Sequence, residues 1–203
     1  MSHYSFEDVL LAFEKKGKQI FGNNFMVYEY DKEVLLRLVV YFSKNVEMAQ
    51  KLNISFGKGL LLNGKVGCGK TTIMTVFRTF LLYENRYAIK SCRDISFEFS
   101  EHGYSIINNY SRVLLEKPLL SNFCFDDLGS EQTLKHFGNE CNVMGEILLS
   151  RYDRYVTHKI ITHLTTNLTS SEIEDYYGTR VRSRMREMFN LISFGEDSID
   201  KRK

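Results

Sequence analysis

One stretch of the sequence has the residue types and spacing of a loop that binds phosphate groups. It fits the pattern GxxxxGK[ST] and consists of Gly64, Lys65, Val66, Gly67, Cys68, Gly69, Lys70 and Thr71. Glycines let such a loop turn tightly, so that successive N–H groups point at phosphate oxygens. The lysine places an ammonium near the β and γ phosphates, and the threonine hydroxyl is a Mg²⁺ ligand. The pattern predicts a site for a nucleoside triphosphate, expected to be ATP with Mg²⁺, and we include Thr72 among the contact residues.

A pair of carboxylates provides the next candidate for chemistry. Asp126 and Asp127 follow an apolar run some 55 residues after the loop. Phosphoryl transfer to water needs a carboxylate that holds the metal and a group that orients the water. We expect Asp126 to hold Mg²⁺ and Asp127 to polarise the water, with Glu131 as a second candidate for the base. The alternative is an acidic surface turn.

Polar and basic residues near the end of the chain complete the candidate set. Asn167 follows a predicted strand, and its amide would lie beside the acids if that strand is inserted between the first and third strands. Arg180 and Arg184 are four residues apart and share one helix face. A guanidinium suits the γ phosphate, either in the same chain or in a neighbouring subunit. The alternatives are a turn that opens with Asn167 and a solvated arginine face.

The pattern of elements predicts an α/β fold with a mostly parallel sheet. From residue 59, short apolar runs alternate with longer amphipathic segments. The phosphate loop lies between the apolar run Gly59–Asn63 and a helix, which is the context that the motif requires. Strands are predicted at 59–63, 87–92, 121–125, 159–165 and 189–194. Helices are predicted at 71–83, at one or two places within 92–116, and at 137–155, 170–177 and 179–188. Residues 1–55 are predicted to be helical, with Phe6, Val9, Leu10 and Phe13 on one face and 34–48 as a second helical stretch.

Composition sets limits on the class of protein. The chain has 203 residues, of which 43% are hydrophobic and 26% charged, with a net charge of +2. No apolar run approaches the ~18–20 residues that span a bilayer, and the first residues include acids, unlike a signal peptide. We therefore expect a cytoplasmic protein that does not engage a membrane. The four cysteines lack metal-site spacing, so buried reduced thiols are expected.

Together these segments resemble the AAA+ superfamily, and within it the DnaC/IstB-type helicase-loader and transposition-helper ATPases, which are related to the DnaA initiators. The resemblance rests on GLLLNGKVGCGKT, CFDDLGSE, HLTTNL and GTRVRSRM. It implies a three-layer P-loop sandwich whose five-stranded sheet has the order 5-1-4-3-2. It also implies a helical extension over 1–55 and an ATPase domain over 56–203. The helical lid domain is expected to be absent or truncated, and Arg202 is the candidate for the sensor arginine of that lid.

The resemblance also implies roles for individual residues. Residues 64–71 would be Walker A, Asp126 and Asp127 Walker B, and Asn167 sensor 1. Arg184 would be the arginine finger, with Arg180 as an accessory. Because the second Walker B acid is Asp, where many AAA+ proteins have Glu, we expect slow hydrolysis. Because the arginine finger would reach the γ phosphate of the next subunit, we expect hydrolysis to depend on assembly.

The partners implied by the resemblance are single-stranded DNA, a replicative helicase or transposase, and further copies of the chain that associate when ATP is bound. In this family an extra helical element after the second strand contacts DNA. The matching stretch is 92–116, whose basic and aromatic residues suit base stacking and phosphate contact. They are Arg93, Phe97, Tyr104, Tyr110 and Arg112. Glu98 and Glu101 weaken that interpretation, and packing of the aromatic residues in the core is the alternative.

Two other functions remain open from the sequence. A P-loop nucleoside or nucleotide kinase fits the size, and the segment with Arg151 and Arg154 resembles the arginine-bearing segment of such kinases. A nucleotide-gated binding module would associate in the presence of ATP without measurable turnover. The three functions differ in what they do with ATP. The ATPase releases phosphate, the kinase transfers phosphate to a nucleoside, and the binding module associates in the presence of ATP without turnover.

Overall fold

The computed structural model of the chain describes residues 5–111, 122–131, 134–136 and 139–202, with the backbone alone at 134–136 and 139–140. Its helices are α1 (Phe6–Phe21), α2 (Lys32–Ser43), α3 (Val46–Lys51), α4 (Lys70–Phe80), α5 (Cys92–His102), α6 (Ser105–Ser111), α7 (Val143–His158) and α8 (Ser170–Met188). Its strands are β1 (Gly59–Asn63), β2 (Ala88–Ser91), β3 (Phe123–Leu128), β4 (Leu134–His136), β5 (Asn139–Cys141), β6 (Thr162–Thr166) and β7 (Phe189–Ser193).

Five of the strands form one parallel sheet in the order β2-β3-β6-β1-β7. With these five strands numbered one to five along the chain, the order is 2-3-4-1-5, so the predicted order 5-1-4-3-2 is confirmed. β6 therefore lies between β1 and β3, and the carboxyl ends of all three strands meet at one edge of the sheet. Ligands bind at this edge in open α/β sheets.

Helices cover both faces of the sheet, which confirms the three-layer sandwich. Side chains alternate along each strand, so Leu60 and Leu62 join one hydrophobic cluster and Leu61 joins the other. The first cluster contains residues of α1, α2 and α4, and the second contains residues of α5 to α8. The helices before residue 52 thus share a core with β1 and α4. The predicted boundary between residues 55 and 56 stays a prediction.

Local backbone signals explain where several helices begin and end. Ser5 and Asp8 form a capping box that starts α1. The helical stretch predicted over 34–48 is two helices, because Lys44 adopts a left-handed conformation (φ 56°) and Asn45 caps α3. The predicted break between 170–177 and 179–188 is present within α8, where Gly178 has φ 82° and ψ 161°.

Several predicted boundaries are wrong. Strand four begins at Thr162 and not at 159, and α4 ends at Phe80 and not at 83. The helix predicted over 137–155 begins only at Val143, because Asn139–Cys141 pairs with β4 in an antiparallel hairpin. Asn142 caps the helix by accepting a hydrogen bond from the Gly145 N–H. The third strand extends to Leu128, three residues beyond its predicted end. Ser121 and Phe137, where these two elements were predicted to start, lie outside the described residues.

The thiols match the expectation from composition. All four cysteines are buried and free. Burial raises the pKa of Cys92 and Cys124 well above the usual value of a thiol. Within the described ranges, no helix combines the length and the apolar character that crossing a bilayer requires.

A buried histidine in the central strand makes stability depend on pH. His163 is 4% exposed, and its Nδ1 accepts a hydrogen bond from the Leu60 N–H at 3.2 Å. Burial, with smaller contributions from Lys44 and Arg151, lowers the pKa of His163 to about 3. Below pH 6.5 the unfolded chain binds a proton that the folded chain does not, so stability falls as the pH falls. From pH 7 to pH 5 this group alone removes about 2 kcal/mol from the free energy of unfolding.

We therefore expect His163→Asn to lose that part of the acid sensitivity, since an amide oxygen can still accept from Leu60. Urea unfolding of both proteins at pH 7 and pH 5 measures the difference. Parallel losses of stability in the two proteins would contradict the prediction.

Candidate functional site

The phosphate loop connects β1 to α4 and has the backbone that its glycines permit. Gly67 and Gly69 have φ of 81° and 103°, in the left-handed region where side chains are strained. α4 begins at Lys70, whose side chain is buried. The Lys70 ammonium donates to the carbonyl oxygens of Gly64 (2.6 Å) and Lys65 (3.0 Å). The cation is therefore held within the loop.

The predicted metal-binding residues lie in direct contact. The Thr71 hydroxyl lies 2.9 Å from both carboxylate oxygens of Asp126, although 55 residues separate the two in sequence. Hydroxyl and carboxylate oxygens are hard donors, and Mg²⁺ is usually bound by one or two such groups together with phosphate and water. Thr71 and Asp126 therefore fit a magnesium ion that shares its coordination with a nucleotide. In the described part of the chain no cluster of three or more His, Cys, Asp or Glu residues forms a denser metal site.

Thr165 on β6 holds both acids and was missed as a site residue by the sequence analysis. Its hydroxyl donates to Asp126 Oδ1 at 2.6 Å and accepts from the Asp127 N–H at 2.8 Å. Between the paired positions Phe125 and Leu128 the register shifts, and two residues of β3 oppose one of β6. Such a bulge redirects side chains. The only signal in the sequence was a hydroxyl residue in a strand predicted to be buried.

The bulge gives Asp127 an uncommon conformation. Its φ is 59°, in the left-handed region that asparagine and aspartate tolerate better than most residues. The side chain of Asp127 is exposed at the edge of the sheet. Strain of this kind concentrates at functional sites. An exposed carboxylate beside the metal position can orient a water molecule.

Glu131, the second candidate for the base, is engaged in other contacts. One carboxylate oxygen accepts from the Gly129 N–H at 2.9 Å, and the other accepts from the Tyr177 hydroxyl. Burial, and then the charge of Glu131, raise the pKa of Tyr177. Glu131 therefore joins the loop after β3 to α8, and Asp127 is the better candidate for orienting water.

Among the described residues, no side-chain hydrogen bond or ion pair links the predicted sensor and arginine residues to the phosphate loop. Asn167 is exposed immediately after β6, and Arg180 is exposed on α8. The Arg184 guanidinium lies over the ring of Tyr152 at 4.2 Å and donates to its hydroxyl and to Glu187. Within the described residues, no hydrogen bond or ion pair joins Arg180 or Arg184 to the loop.

A cavity of about 240 Å³ adjoins the loop. One wall consists of the loop and the start of α4, including Thr72. The opposite wall is the segment between α1 and α2, for which no role was predicted. A third wall comes from the residues after β7. The cavity is lined by Phe13, Phe21, Asn24, Phe25, Met26, Val27, Tyr28, Asp31, Leu35, Gly67, Gly69, Thr72, Ile73, Lys201 and Arg202.

The candidate DNA-binding stretch is divided between surface and core. Tyr110 is buried and donates a hydrogen bond to Glu98, so this aromatic residue packs in the core. Phe97 and Tyr104 are half exposed, and the Arg93 guanidinium lies 5.4 Å from the centre of the Phe97 ring. Arg112 lies outside the described residues.

Arg151, the first arginine of the segment that resembles a kinase, has a structural role. Arg151 is 1% exposed, and it donates to the Thr162 hydroxyl and to the Tyr110 carbonyl. Burial lowers the pKa of Arg151 to about 9. The guanidinium also lies near the rings of Phe123 and Phe125. It therefore supports the core beneath β3 and β6.

Comparison with known proteins shows a likeness of fold. No protein-family model matches the sequence, and no curated protein matches it either. The DnaC helicase loader is similar in structure, with a TM-score of 0.58 and 19% identity over 85% of this chain and 95% of the loader chain. AMPPCP-bound DnaA from Aquifex aeolicus has a TM-score of 0.54 and 17% identity over 99% of this chain and 53% of that chain.

A third structure, the replication initiator DnaA bound to AMPPCP and single-stranded DNA, has a TM-score of 0.53 and 20% identity over 86% of this chain and 49% of that chain. The chain thus spans most of the DnaC loader chain and about half of each DnaA chain. At these identities the comparison establishes the architecture. The chain has the AAA+ P-loop fold of the DnaC and DnaA proteins, as the resemblance in its sequence implied.

Proposed function

We propose that the chain binds ATP with Mg²⁺ and acts as an ATP-dependent switch of the DnaC type. The observation that carries this proposal is the contact of Thr71 with Asp126, beside a lysine held within the phosphate loop. A bound triphosphate would replace the two loop carbonyls as the partner of Lys70. Thr71 and Asp126 would hold Mg²⁺, which would neutralise negative charge on the phosphates. This contact supports the assignment of the loop and of Asp126 to one nucleotide site.

The cavity beside the loop suits the nucleoside part of the ligand. It is smaller than the ~300–1,000 Å³ of pockets that hold drug-sized molecules. A single planar base would fill it while the triphosphate lies in the open loop. Phe25 and Tyr28 line the cavity and offer ring surfaces to a base, and Thr72 of α4 also lines it.

Hydrolysis is expected to be slow and to need a neighbouring subunit. Asp127 would orient the attacking water, Asn167 would hydrogen-bond that water or the γ phosphate, and Arg184 would reach the γ phosphate of the next subunit. Arg180 would assist on the same helix face. Because Arg184 is held by Tyr152 in the single chain, assembly must provide a better partner, namely the phosphate. ATP binding would thus favour association, and hydrolysis would reverse it.

The partners that we propose are single-stranded DNA and a replicative helicase or transposase. Likeness to a DnaC helicase loader and to a DnaA bound to single-stranded DNA supports this class of partner. Arg93, Phe97 and Tyr104 provide the basic and aromatic surface that single strands stack upon. We place the protein in the cytoplasm, in replication or as a transposition helper.

Phosphate release tests the proposal against both alternatives. We expect Mg²⁺-dependent release of phosphate from ATP that increases with protein concentration and with single-stranded DNA. Transfer of phosphate to a nucleoside or a monophosphate would indicate a kinase, which the burial of Arg151 disfavours. ATP-dependent association without any phosphate release, even with DNA, would indicate a binding module.

Thr165 gives a prediction specific to this site. Thr165→Val keeps the shape of the side chain but removes both hydrogen bonds to the acidic pair. Removal of a group that positions a metal ligand typically lowers activity about 10- to 100-fold, so we expect ATP turnover to fall by about that factor. Thr166→Val is the matched control, because Thr166 is equally buried but donates to the Leu128 carbonyl. Equal turnover in the two variants would show that Thr165 does not position the acids.

A further inference from the structure

The residues after β7 lie across the phosphate loop. In the 195–202 segment, the Lys201 N–H donates to the Gly67 carbonyl at 3.1 Å. A side chain at Gly67 would collide with the Asp200 carboxylate, and one at Gly69 would come within 3.2 Å of the Lys201 ammonium. The segment therefore packs directly on the two glycines that shape the loop.

The Lys201 side chain reaches from the loop to the opposite wall of the cavity. Its Nζ lies 2.6 Å from Asp31 Oδ1, and the two side chains are only 17% and 4% exposed. The same ammonium lies 5.3 to 5.8 Å from the ring centres of Tyr28, Tyr30 and Phe194. Asp31 in turn accepts a hydrogen bond from the Tyr28 N–H. Breaking a buried pair of this kind leaves an uncompensated charge, so the contact resists opening.

These contacts join all three walls of the cavity. Lys201 contacts the wall before α2 through Asp31, and it contacts the phosphate loop through the Gly67 carbonyl. Lys201 and Arg202 themselves form the third wall. We propose that the 195–202 segment retains the bound nucleotide and that Lys201 is the positioning residue that holds this segment through Asp31. The inference rests on the proposed function, since the ligand is ATP. Release of the nucleotide would require the pair to open, so the pair would set the dissociation rate.

Nucleotide dissociation tests the inference directly. The full chain is loaded with Mg²⁺ and an ATP analogue that carries a fluorophore on its ribose, and excess ATP then displaces the analogue in a stopped-flow instrument. We expect Lys201→Met and Asp31→Asn each to dissociate about tenfold faster or more, with association changed much less. The double variant should be no faster than either single one, because both changes remove the same contact. Lys201→Arg should stay near the wild-type rate.

The controls separate this inference from the proposed function. Lys51→Met alters an exposed ion pair with Glu47 on α3 and should leave dissociation unchanged. Wild-type dissociation rates in both Lys201→Met and Asp31→Asn would overturn the inference while leaving ATP binding intact. The inference would also be overturned if these variants showed a lower melting temperature and a smaller fluorescence signal but an unchanged dissociation rate. That result would indicate a purely structural role for the pair. A wild-type chain that does not bind the analogue would overturn the proposed function and the inference with it.

Discussion

Lys70→Ala is expected to weaken ATP binding about 100-fold or more, because the ammonium contributes charged hydrogen bonds to the phosphates worth roughly 1.5–3 kcal/mol each. The structure makes this expectation specific. Lys70 is buried, and its Nζ donates to two carbonyls of its own loop, so the charge is already placed where the phosphates would lie. Isothermal titration calorimetry with MgATP measures the loss.

A matched lysine provides the control for this prediction. Lys51→Ala removes an equal charge from the exposed face of α3 and should leave the affinity for ATP unchanged. The variant at Lys70 must remain folded, which circular dichroism can establish. If folded Lys70→Ala binds ATP as tightly as the wild type, the loop is not a nucleotide site and the proposed function fails.

Arg184→Ala is expected to leave ATP binding intact and to reduce hydrolysis by about 10³-fold, the lower end of what an arginine finger contributes. In the single chain Arg184 contacts Tyr152 and Glu187, and no described hydrogen bond or ion pair joins it to the loop. Its loss should therefore not affect nucleotide affinity. Arg186→Ala, an exposed arginine of the same helix, is the control and should hydrolyse ATP normally.

Mixing two inactive variants tests whether Arg184 acts on a neighbour. Lys70→Ala keeps the finger but lacks the nucleotide, and Arg184→Ala keeps the nucleotide but lacks the finger. A mixture should recover hydrolysis, since some interfaces combine an intact loop with an intact arginine. Recovery should depend on total protein concentration, because the interface must form. If the mixture stays inactive although the two variants associate with each other, the assignment of Arg184 as a finger in trans is wrong.

The parts of the site that the sequence predicted are those with a local signature. The loop at 64–71 is defined by its own glycines and lysine, and Asp126 by its position at the end of an apolar strand. The order of the sheet followed from the resemblance and is confirmed. It brings Thr71 and Asp126 together, as the assignment of both to one metal required.

The features that the sequence did not predict depend on contacts between distant residues. Thr165 contacts both acids because a bulge in β3 sets two residues opposite it, and that bulge depends on how two distant strands pair. Lys201 and Asp31 form an ion pair although 170 positions separate them in sequence, and neither residue belongs to a motif that would indicate the contact. The hairpin of β4 and β5 was missed because three-residue strands are too short to show a period of two.

The break at Gly178 has a consequence for how subunits would fit together. Before it, Tyr177 is joined to Glu131, and after it Val181 and Met185 are buried in the core, while the helix runs directly into β7 without a connecting loop. The arginine-bearing half of α8 is therefore fixed to the central sheet as one rigid body. The distance from Arg184 to the phosphate of a neighbour would then depend on the angle at which whole subunits dock. A small error in docking angle would move Arg184 away from the phosphate, so hydrolysis would report on correct assembly.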